Sequence, residues 1–336
     1  MKTLTELVSP LLKLMPSPVP RRQERLRGQH ALADGIKYVM PVNSDDSPVL
    51  MAAFPINKKA AAAALPGTEM RPFSLGGKGL LVVTVVNYKS TDIGKYIEYS
   101  LAIAITHGSR PAPPILPLIF QKTFKLGQFV VDLPVSSEVS VKGGKGIWGM
   151  PKHQANLDFV VTDSTVSAQY DKDGRLGCYI EIERPDSPSA THLPLKLAAS
   201  NYCVFRNMLW KSDIYFEATG DIALGAQAKA RLILGDAPGV EPLKNLQVES
   251  NPVFTAWLPQ AHGVLDDHYE AWFLTAPTES AAAALRGGDM LDSVVNLGQS
   301  QEWLAPPDRS RIAGTAPMRT APDSGAVPRA TPGSIQ

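Results

Sequence analysis

The sequence has few cysteines, no long apolar run and no excess of charge of either sign. Its 336 residues include two cysteines, Cys178 and Cys203, too few for a disulfide framework or a cysteine-ligated zinc site. No stretch reaches the roughly 18 apolar residues of a transmembrane helix. The 33 basic and 32 acidic residues form neither a nucleic-acid footprint nor a polybasic membrane anchor. We therefore expect a cytoplasmic protein without nucleic-acid or membrane partners.

The common catalytic motifs are missing as well. The patterns G-x-x-x-x-G-K-[ST], G-x-S-x-G and H-E-x-x-H do not occur, so nothing indicates a P-loop NTPase, an α/β-hydrolase or a zincin. Residues 144–149 match G-x-G-x-x-G, but Pro151 and a β-like segment follow where a dinucleotide site needs a helix. Residues 262–268 carry histidines and aspartates without the spacing of a metal site. We expect neither a metal nor an organic cofactor.

What the sequence does contain is many short β-like segments separated by turns. Residues 79–88 and 96–108 predict two strands of a hairpin-like unit, because both are apolar and turn residues separate them. Asn57 stands before a run of alanines, which predicts a helix capped by that asparagine. The fold class is therefore α+β and predominantly antiparallel β, with one domain over residues 20–275.

Both ends are predicted to lie outside this domain. Residues 1–19 have apolar side chains at helical spacing and predict an amphipathic N-terminal helix. Residues 276–304 predict a C-terminal helical extension. Residues 305–336 are rich in proline and poor in apolar side chains, which predicts a disordered tail.

The segment most informative about chemistry is glycine-rich and ends in a lysine. Residues 143–153 read GGKGIWGMPKH, which we interpret as an apolar turn that presents Lys152 at the start of a strand. Burial beside Trp148 and Met150 would lower the pKa of Lys152 and leave a free amine able to attack a carbonyl. Trp148 and Met150 are then predicted walls of a substrate pocket. The alternative is a solvated lysine in a glycine turn.

This segment resembles the signature of the acetoacetate decarboxylase superfamily. In that G-R-E-x-x-G-x-P-K-K-like run the first lysine forms a Schiff base, and Lys152 occupies its position. Residues 92–98, DIGKYIE, resemble the family's Gly-x-Tyr-x-Glu segment, whose glutamate faces the lysine. The resemblance spans residues 45–260 and implies a cone-shaped β-barrel with a few helices. It makes Lys152 the nucleophile, as in acetoacetate decarboxylase itself, and Glu98 the general acid/base.

The resemblance also implies an activity. We expect a lyase that acts on a small-molecule oxo-acid or ketone, by decarboxylation or by aldol-type chemistry, and that assembles as a homo-oligomer. Tyr96 shares a strand face with Glu98 and is a predicted substrate contact. His153 replaces the second lysine of decarboxylases and is predicted to tune the lysine or to contact substrate. The family's arginine near the first strand has Ser47 as its nearest counterpart, and a non-catalytic small-molecule binding protein on the same fold is the alternative.

Overall fold

A computed structural model describes residues 29–184, 192–206, 208–274 and 306–312. The predicted helices at 1–19 and 276–304 lie outside these ranges, so they stay predictions. Within the described ranges, no helix is both long enough and apolar enough to cross a membrane.

Strands make up most of the described chain. They are β1 Gln29–Ala33, β2 Ile36–Met40, β3 Val42–Asp45, β4 Val49–Ile56, β5 Met70–Pro72, β6 Gly79–Tyr88, β7 Ser90–Thr91, β8 Tyr96–His107, β9 Gly127–Val135, β10 Lys152–Gln154, β11 Asn156–Leu157, β12 Val160–Val161, β13 Thr165–Lys172, β14 Arg175–Glu183, β15 His192–Phe205, β16 Met208–Leu224, β17 Ala230–Leu234 and β18 Phe254–Phe273.

The described helices are few and short. They are α1 Lys58–Ala64, α2 Leu116–Ile119, α3 Gln121–Phe124, α4 Glu138–Trp148 and α5 Glu241–Lys244, with 3₁₀ turns at Gly225–Gln227, Pro238–Val240 and Arg309–Arg311. Antiparallel pairing predominates among the strands, so the predicted fold class is confirmed.

Among the described strands, seven close into a ring. Their order is β9-β15-β16-β18-β4-β6-β8, and β8 pairs with β9 to complete the circle. Neighbouring strands are antiparallel except β9 and β15, which are parallel. Strand β10 extends the sheet in parallel beside β9, with Lys152 opposite Leu133. The ring therefore has an inner and an outer face, and consecutive residues of each strand alternate between them.

The outer face of β4, β6 and β8 forms the main core. It packs against a second sheet of five strands, β11, β12, β13, β14 and β17, and the two sheets share one cluster of fully buried side chains. The rings of Tyr99 and Tyr170 meet there at 5.3 Å, and the Tyr99 hydroxyl donates to Cys178 Sγ over 3.1 Å. Burial of each large side chain contributes about 1.5–3 kcal/mol, so this core holds one wall of the ring rigid.

Two local predictions are confirmed by the structure. Helix α1 begins after Asn57, whose Oδ1 accepts hydrogen bonds from the backbone N–H groups of Lys59 and Ala60. Strands β6 and β8 pair antiparallel over most of their length, as the predicted hairpin-like unit requires. Capping satisfies backbone donors that a helix start otherwise leaves unpaired.

Residues 143–148 of the glycine-rich segment belong to a helix and not to the turn that their composition predicts. Helix α4 begins after Ser137, whose Oγ accepts from the backbone N–H of Ser140, and ends at Gly149, which has a left-handed φ of 67°. A Cβ on Gly143 would lie 2.5 Å from Cε1 of Tyr38, far inside van der Waals contact. Tertiary packing against bare glycine backbone therefore outweighs the low helix propensity of glycine.

Residues 306–312, within the segment 305–336 for which disorder is predicted, lie against the second sheet. The Arg309 guanidinium forms a bidentate ion pair with Asp158 and donates to Ser167 Oγ over 3.0 Å. The backbone N–H of Asp308 donates to Asp171 Oδ2 over 3.1 Å, and Ile312 is buried. One arginine and a few hydrogen bonds hold this segment against the second sheet. The average composition of residues 305–336 does not reveal so local an interaction.

Candidate active site

The inner face of the ring lines a cavity. Residues at alternate positions face it, for example Thr84 and Val86 on β6 and Glu98 and Ser100 on β8. Its volume is ≈ 140 Å³, close to that of an engineered cavity that binds benzene, so it has room for a small organic molecule. Much of its wall is apolar, with contributions from Val42, Val130, Leu133, Met150 and Leu265.

Lys152 reaches this cavity from strand β10. Its side chain crosses α4 over Gly144, where a Cβ would lie 2.3 Å from the lysine Cδ. The Nζ atom lies 2.6 Å from Glu98 Oε2 and donates a hydrogen bond of 2.9 Å to Ser140 Oγ. Only 6% of Lys152 is exposed. A lysine amine, a carboxylate and a hydroxyl therefore meet at one point of the cavity wall.

Glu98 comes to this point from β8. It lies opposite Val86 of β6 and Val135 of β9, so hydrogen-bonded strands hold its backbone on both sides. Its side chain is 12% exposed and its carboxylate faces the Lys152 ammonium. A carboxylate at 2.6 Å is within reach for direct proton transfer to or from the amine.

Two tyrosines close one side of the pair. The rings of Tyr88 and Tyr96 stack with centroids 4.5 Å apart, and Lys152 Nζ lies 5.5 Å from the Tyr96 ring centroid. Burial, and secondly the Glu98 carboxylate, raise the pKa of both phenols well above their usual value. Both therefore remain neutral hydroxyl groups at the cavity wall. Tyr96 thus lies at the cavity with Lys152 and Glu98.

Trp148 and Met150 also line the cavity. Both are buried, and the Trp148 Nε1–H donates to the backbone carbonyl of Asp266 over 3.0 Å, which fixes the indole ring. The structure therefore brings five of the six predicted site residues to one cavity.

His153 lies elsewhere. Its Nε2 is 2.7 Å from Asp132 Oδ1, and Asp132 also accepts a hydrogen bond from the Tyr170 hydroxyl. His153 is not among the residues that line the cavity, whereas its neighbour Lys152 is. Successive side chains of a strand point to opposite faces, which separates the two.

Ser140 and Gly144 were missed by sequence reasoning. Both lie on the face of α4 that meets the lysine, Ser140 as a fully buried hydrogen-bond acceptor and Gly144 as the space for the lysine stem. Their role depends on the helix, which the glycine content of the segment conceals. The pattern of Ser137 followed by Glu138 is typical of a helix start and was the available signal.

Comparison with known proteins identifies the family. The family model of acetoacetate decarboxylase matches residues 29–207, more than half of the chain. The chain belongs to the acetoacetate decarboxylase family. The match includes β8, α4 and β10, the elements that carry Glu98, Ser140 and Lys152. Membership places the protein among acetoacetate decarboxylase-like lyases. A search among curated proteins found no match.

Several solved structures are similar to the chain. Acetoacetate decarboxylase from Legionella pneumophila subsp. pneumophila str. Philadelphia 1 is 14% identical with a TM-score of 0.49, over 80% of this chain and 96% of that one. The enduracididine biosynthesis enzyme MppR, complexed with pyruvate, is 15% identical with a TM-score of 0.48, over 69% and 90%. An acetoacetate decarboxylase-like enzyme from Sphingomonas wittichii RW1 is 15% identical with a TM-score of 0.45, over 70% and 94%.

Proposed function

We propose that this protein is a Schiff-base lyase that acts on an oxo-acid or ketone through Lys152. The observation that carries the proposal is the buried pair of Lys152 Nζ and Glu98 Oε2, 2.6 Å apart at the wall of a small cavity. Burying two charges is unfavourable unless their geometry and hydrogen bonding compensate. Membership in a lyase family gives such a pair a chemical purpose.

The proposed mechanism follows from the contact of Lys152 Nζ with Glu98 and Ser140. Glu98 accepts a proton from the Lys152 ammonium, and the free amine attacks the substrate carbonyl carbon. Glu98 then returns the proton to the oxygen of the adduct and carries a second proton from Nζ to the resulting hydroxyl, so that water leaves and a protonated imine remains. This iminium withdraws electrons from the adjacent carbon, so a bond from that carbon to a carboxylate, a proton or another carbon can break and form an enamine. The Ser140 hydroxyl holds Nζ in place during the attack.

A non-catalytic binding protein on the same fold is the competing function. Such a protein needs the cavity, but it has no use for a buried lysine in contact with a glutamate. The position of Lys152 at the cavity and its distance to Glu98 therefore favour the enzyme.

Reductive trapping tests the proposal. The full chain is incubated with a panel of ketones and oxo-acids and with cyanoborohydride, and the adduct is mapped by mass spectrometry. We expect modification of Lys152 and none of Lys142, an equally buried lysine that pairs with Asp34 and Glu138 away from the cavity. Lys152→Met should abolish both the adduct and turnover while its circular dichroism spectrum stays unchanged. An adduct that survives in Lys152→Met, or none with the whole panel, contradicts the mechanism.

A further inference from the structure

The charges of the residues that line the cavity limit the charge that a bound substrate can have. Of the described residues that line it, Lys152 and Glu98 alone carry a formal charge, and they pair with each other. The remaining polar groups are neutral hydroxyls and amides, among them Ser44, Ser47 and Asn201. The described part of the cavity wall is therefore neutral as a whole.

Apart from Lys152, none of the described lysines and arginines lines the cavity. On α4, Lys142 forms ion pairs with Asp34 at 2.7 Å and Glu138 at 3.6 Å and does not line the cavity. Ser47 lines the cavity, where its Oγ shares a hydrogen bond of 3.1 Å with Ser44 Oγ. No described cation is therefore placed to hold a substrate carboxylate once Lys152 is engaged in the imine.

We propose that the substrate of this cavity is an uncharged ketone or aldehyde with an apolar body, and that oxo-acids are excluded; this rests on the proposed Schiff-base function. When Lys152 becomes an iminium, its positive charge and the negative charge of Glu98 compensate each other. A carboxylate on the substrate would then be an additional buried charge without a partner, which strongly disfavours binding. A hydrocarbon body instead gains from contact with the apolar wall.

The chemistry changes with the substrate. An uncharged ketone has no carboxylate to lose, so the iminium loses a proton from the α-carbon. Glu98 accepts that proton, the electrons of the C–H bond form the C=C bond of the enamine, and the C=N electrons return to Nζ. The reverse step places a solvent-derived proton on the α-carbon. The site therefore catalyses α-proton exchange, the first half of an aldol-type reaction.

A pair of isosteric probes separates the two substrate classes. The probes are 4-oxopentanoate and 5-methylhexan-2-one, in which an isopropyl group replaces the carboxylate. Each is incubated with the full chain and cyanoborohydride, and the labelling rate of Lys152 is divided by that of free Nα-acetyl-lysine. We expect the ketone to label Lys152 at least about tenfold faster, because only the oxo-acid brings an unpaired charge into the cavity. In D₂O, the protein but not Lys152→Met should place deuterium on the α-carbons of the ketone.

The outcomes are distinct. Labelling by 4-oxopentanoate at an equal or higher rate overturns the substrate class but leaves the Schiff-base function standing. Absence of labelling by both probes and by the wider carbonyl panel overturns the Schiff-base function as well.

A variant adds an independent measurement. Thr84 lies on the inner face of β6, opposite Ser100 and one inner-face position from Val86, the partner of Glu98. Thr84→Lys should raise labelling of Lys152 by 4-oxopentanoate several-fold, because it supplies the missing cation. Thr84→Met is the control of similar length without charge and should not do so. Equal labelling in the two variants contradicts the proposal, and if Thr84→Lys fails to fold, the comparison of the two probes on the natural protein decides alone.

Discussion

The Lys152 side chain crosses helix α4 directly over Gly144: a Cβ on that glycine would lie 2.3 Å from Cδ and 2.7 Å from Cε of the lysine. The helix therefore has no side chain at the one place where the lysine must pass to reach Glu98. The position of Nζ depends on this absence as much as on the hydrogen bond to Ser140.

Gly144→Ala should separate the lysine from its partner. The added methyl displaces the stem of Lys152, so we expect reductive labelling of Lys152 to fall at least about tenfold, while overpacking costs about 1–3 kcal/mol of stability. Gly146→Ala is the matched control, because Gly146 is exposed on the same helix. That variant should label normally and gain up to about 1 kcal/mol in urea unfolding. Equal labelling in the two variants would show that Lys152 does not need the space over Gly144.

Glu98→Gln should slow both imine formation and the proton transfer at the α-carbon. The amide has nearly the shape of the carboxylate, but it can neither accept the ammonium proton nor return it. We expect α-deuterium exchange of the ketone to slow by about 10²- to 10⁴-fold, the usual contribution of a general acid/base. Glu217→Gln, on the ring strand β16 and half exposed beside Lys196, is the control. A residual rate near that of the control would assign the proton transfers to another group.

His153→Lys should leave the pH dependence of trapping unchanged. The sequence alone predicts that a second ammonium here lowers the pKa of the neighbouring lysine. The structure instead directs this side chain to Asp132, 2.7 Å away and outside the cavity, where a lysine would face the same carboxylate. The measurement is the rate of Lys152 labelling against pH in both proteins. A shift of the acid limb to lower pH would mean that residue 153 acts on Lys152 after all.

Arg309→Ala should destabilise the protein without changing the labelling of Lys152, because Arg309 does not line the cavity. Its guanidinium is the charged partner of Asp158, a carboxylate whose pKa is raised by burial and lowered by Arg309. Loss of the arginine leaves that buried carboxylate without its cation, and we expect a cost of about 3–5 kcal/mol in urea unfolding. Ser310→Ala, at the exposed next position, is the control.

Deletion tests the same contact. Removal of residues 306–336 should lower the melting temperature by several degrees, whereas removal of 313–336 should leave it nearly unchanged, since the latter keeps Arg309. Equal melting temperatures for the two truncations would mean that the docked segment contributes nothing.

His107 should make the protein acid-sensitive. Burial, together with repulsion from Lys125, lowers the pKa of His107 to about 4, while Glu270 acts in the opposite direction. Glu69 is 4.0 Å from its Nε2, and the ring packs at 4.5 Å from Trp272.

The sign of the effect follows from proton binding. In the unfolded chain the pKa of histidine is near 6.5, so between about pH 4 and 6.5 the unfolded state binds more protons than the folded state. The free energy of unfolding is therefore highest above pH 6.5. As the pH falls from 6.5 toward 4 it decreases, by about 3 kcal/mol at most from this histidine. His107→Phe should flatten this part of the stability profile measured by urea unfolding. His262→Gln, at a mostly exposed histidine, should retain it.

Much of the β architecture could be predicted from sequence because short apolar runs bounded by turn residues indicate buried strands. Strand β6 is almost continuously apolar, and this local composition predicts a strand irrespective of its partners. Closure of the ring could not be predicted in this way, because it depends on pairing between strands far apart in the chain, such as β9 with β15.

The site residues that lie in a recognisable motif or on a predicted strand could be predicted from the sequence. Lys152 and Glu98 stand in recognisable segments, and Tyr96 follows from strand alternation. Gly144 and Ser140 depend on a helix whose sequence predicts a turn, since the packing that stabilises it involves a lysine from another element. The prediction for His153 was wrong for a different reason. Neighbouring residues of a strand point to opposite faces, so His153 points away from the cavity that Lys152 enters.

The pairing of β4 with β18 has a consequence for the order of events in folding. Ala53 lies beside Phe254, so a strand near the start of the described chain is held by the last strand of the ring. During synthesis the ring cannot close before β18 has left the ribosome, and contacts between such distant residues are typical of slow folding. Lys152 is thus synthesised well before the strand that completes the cavity around it, and until then the sheet has an open edge at β4 that could pair with other chains.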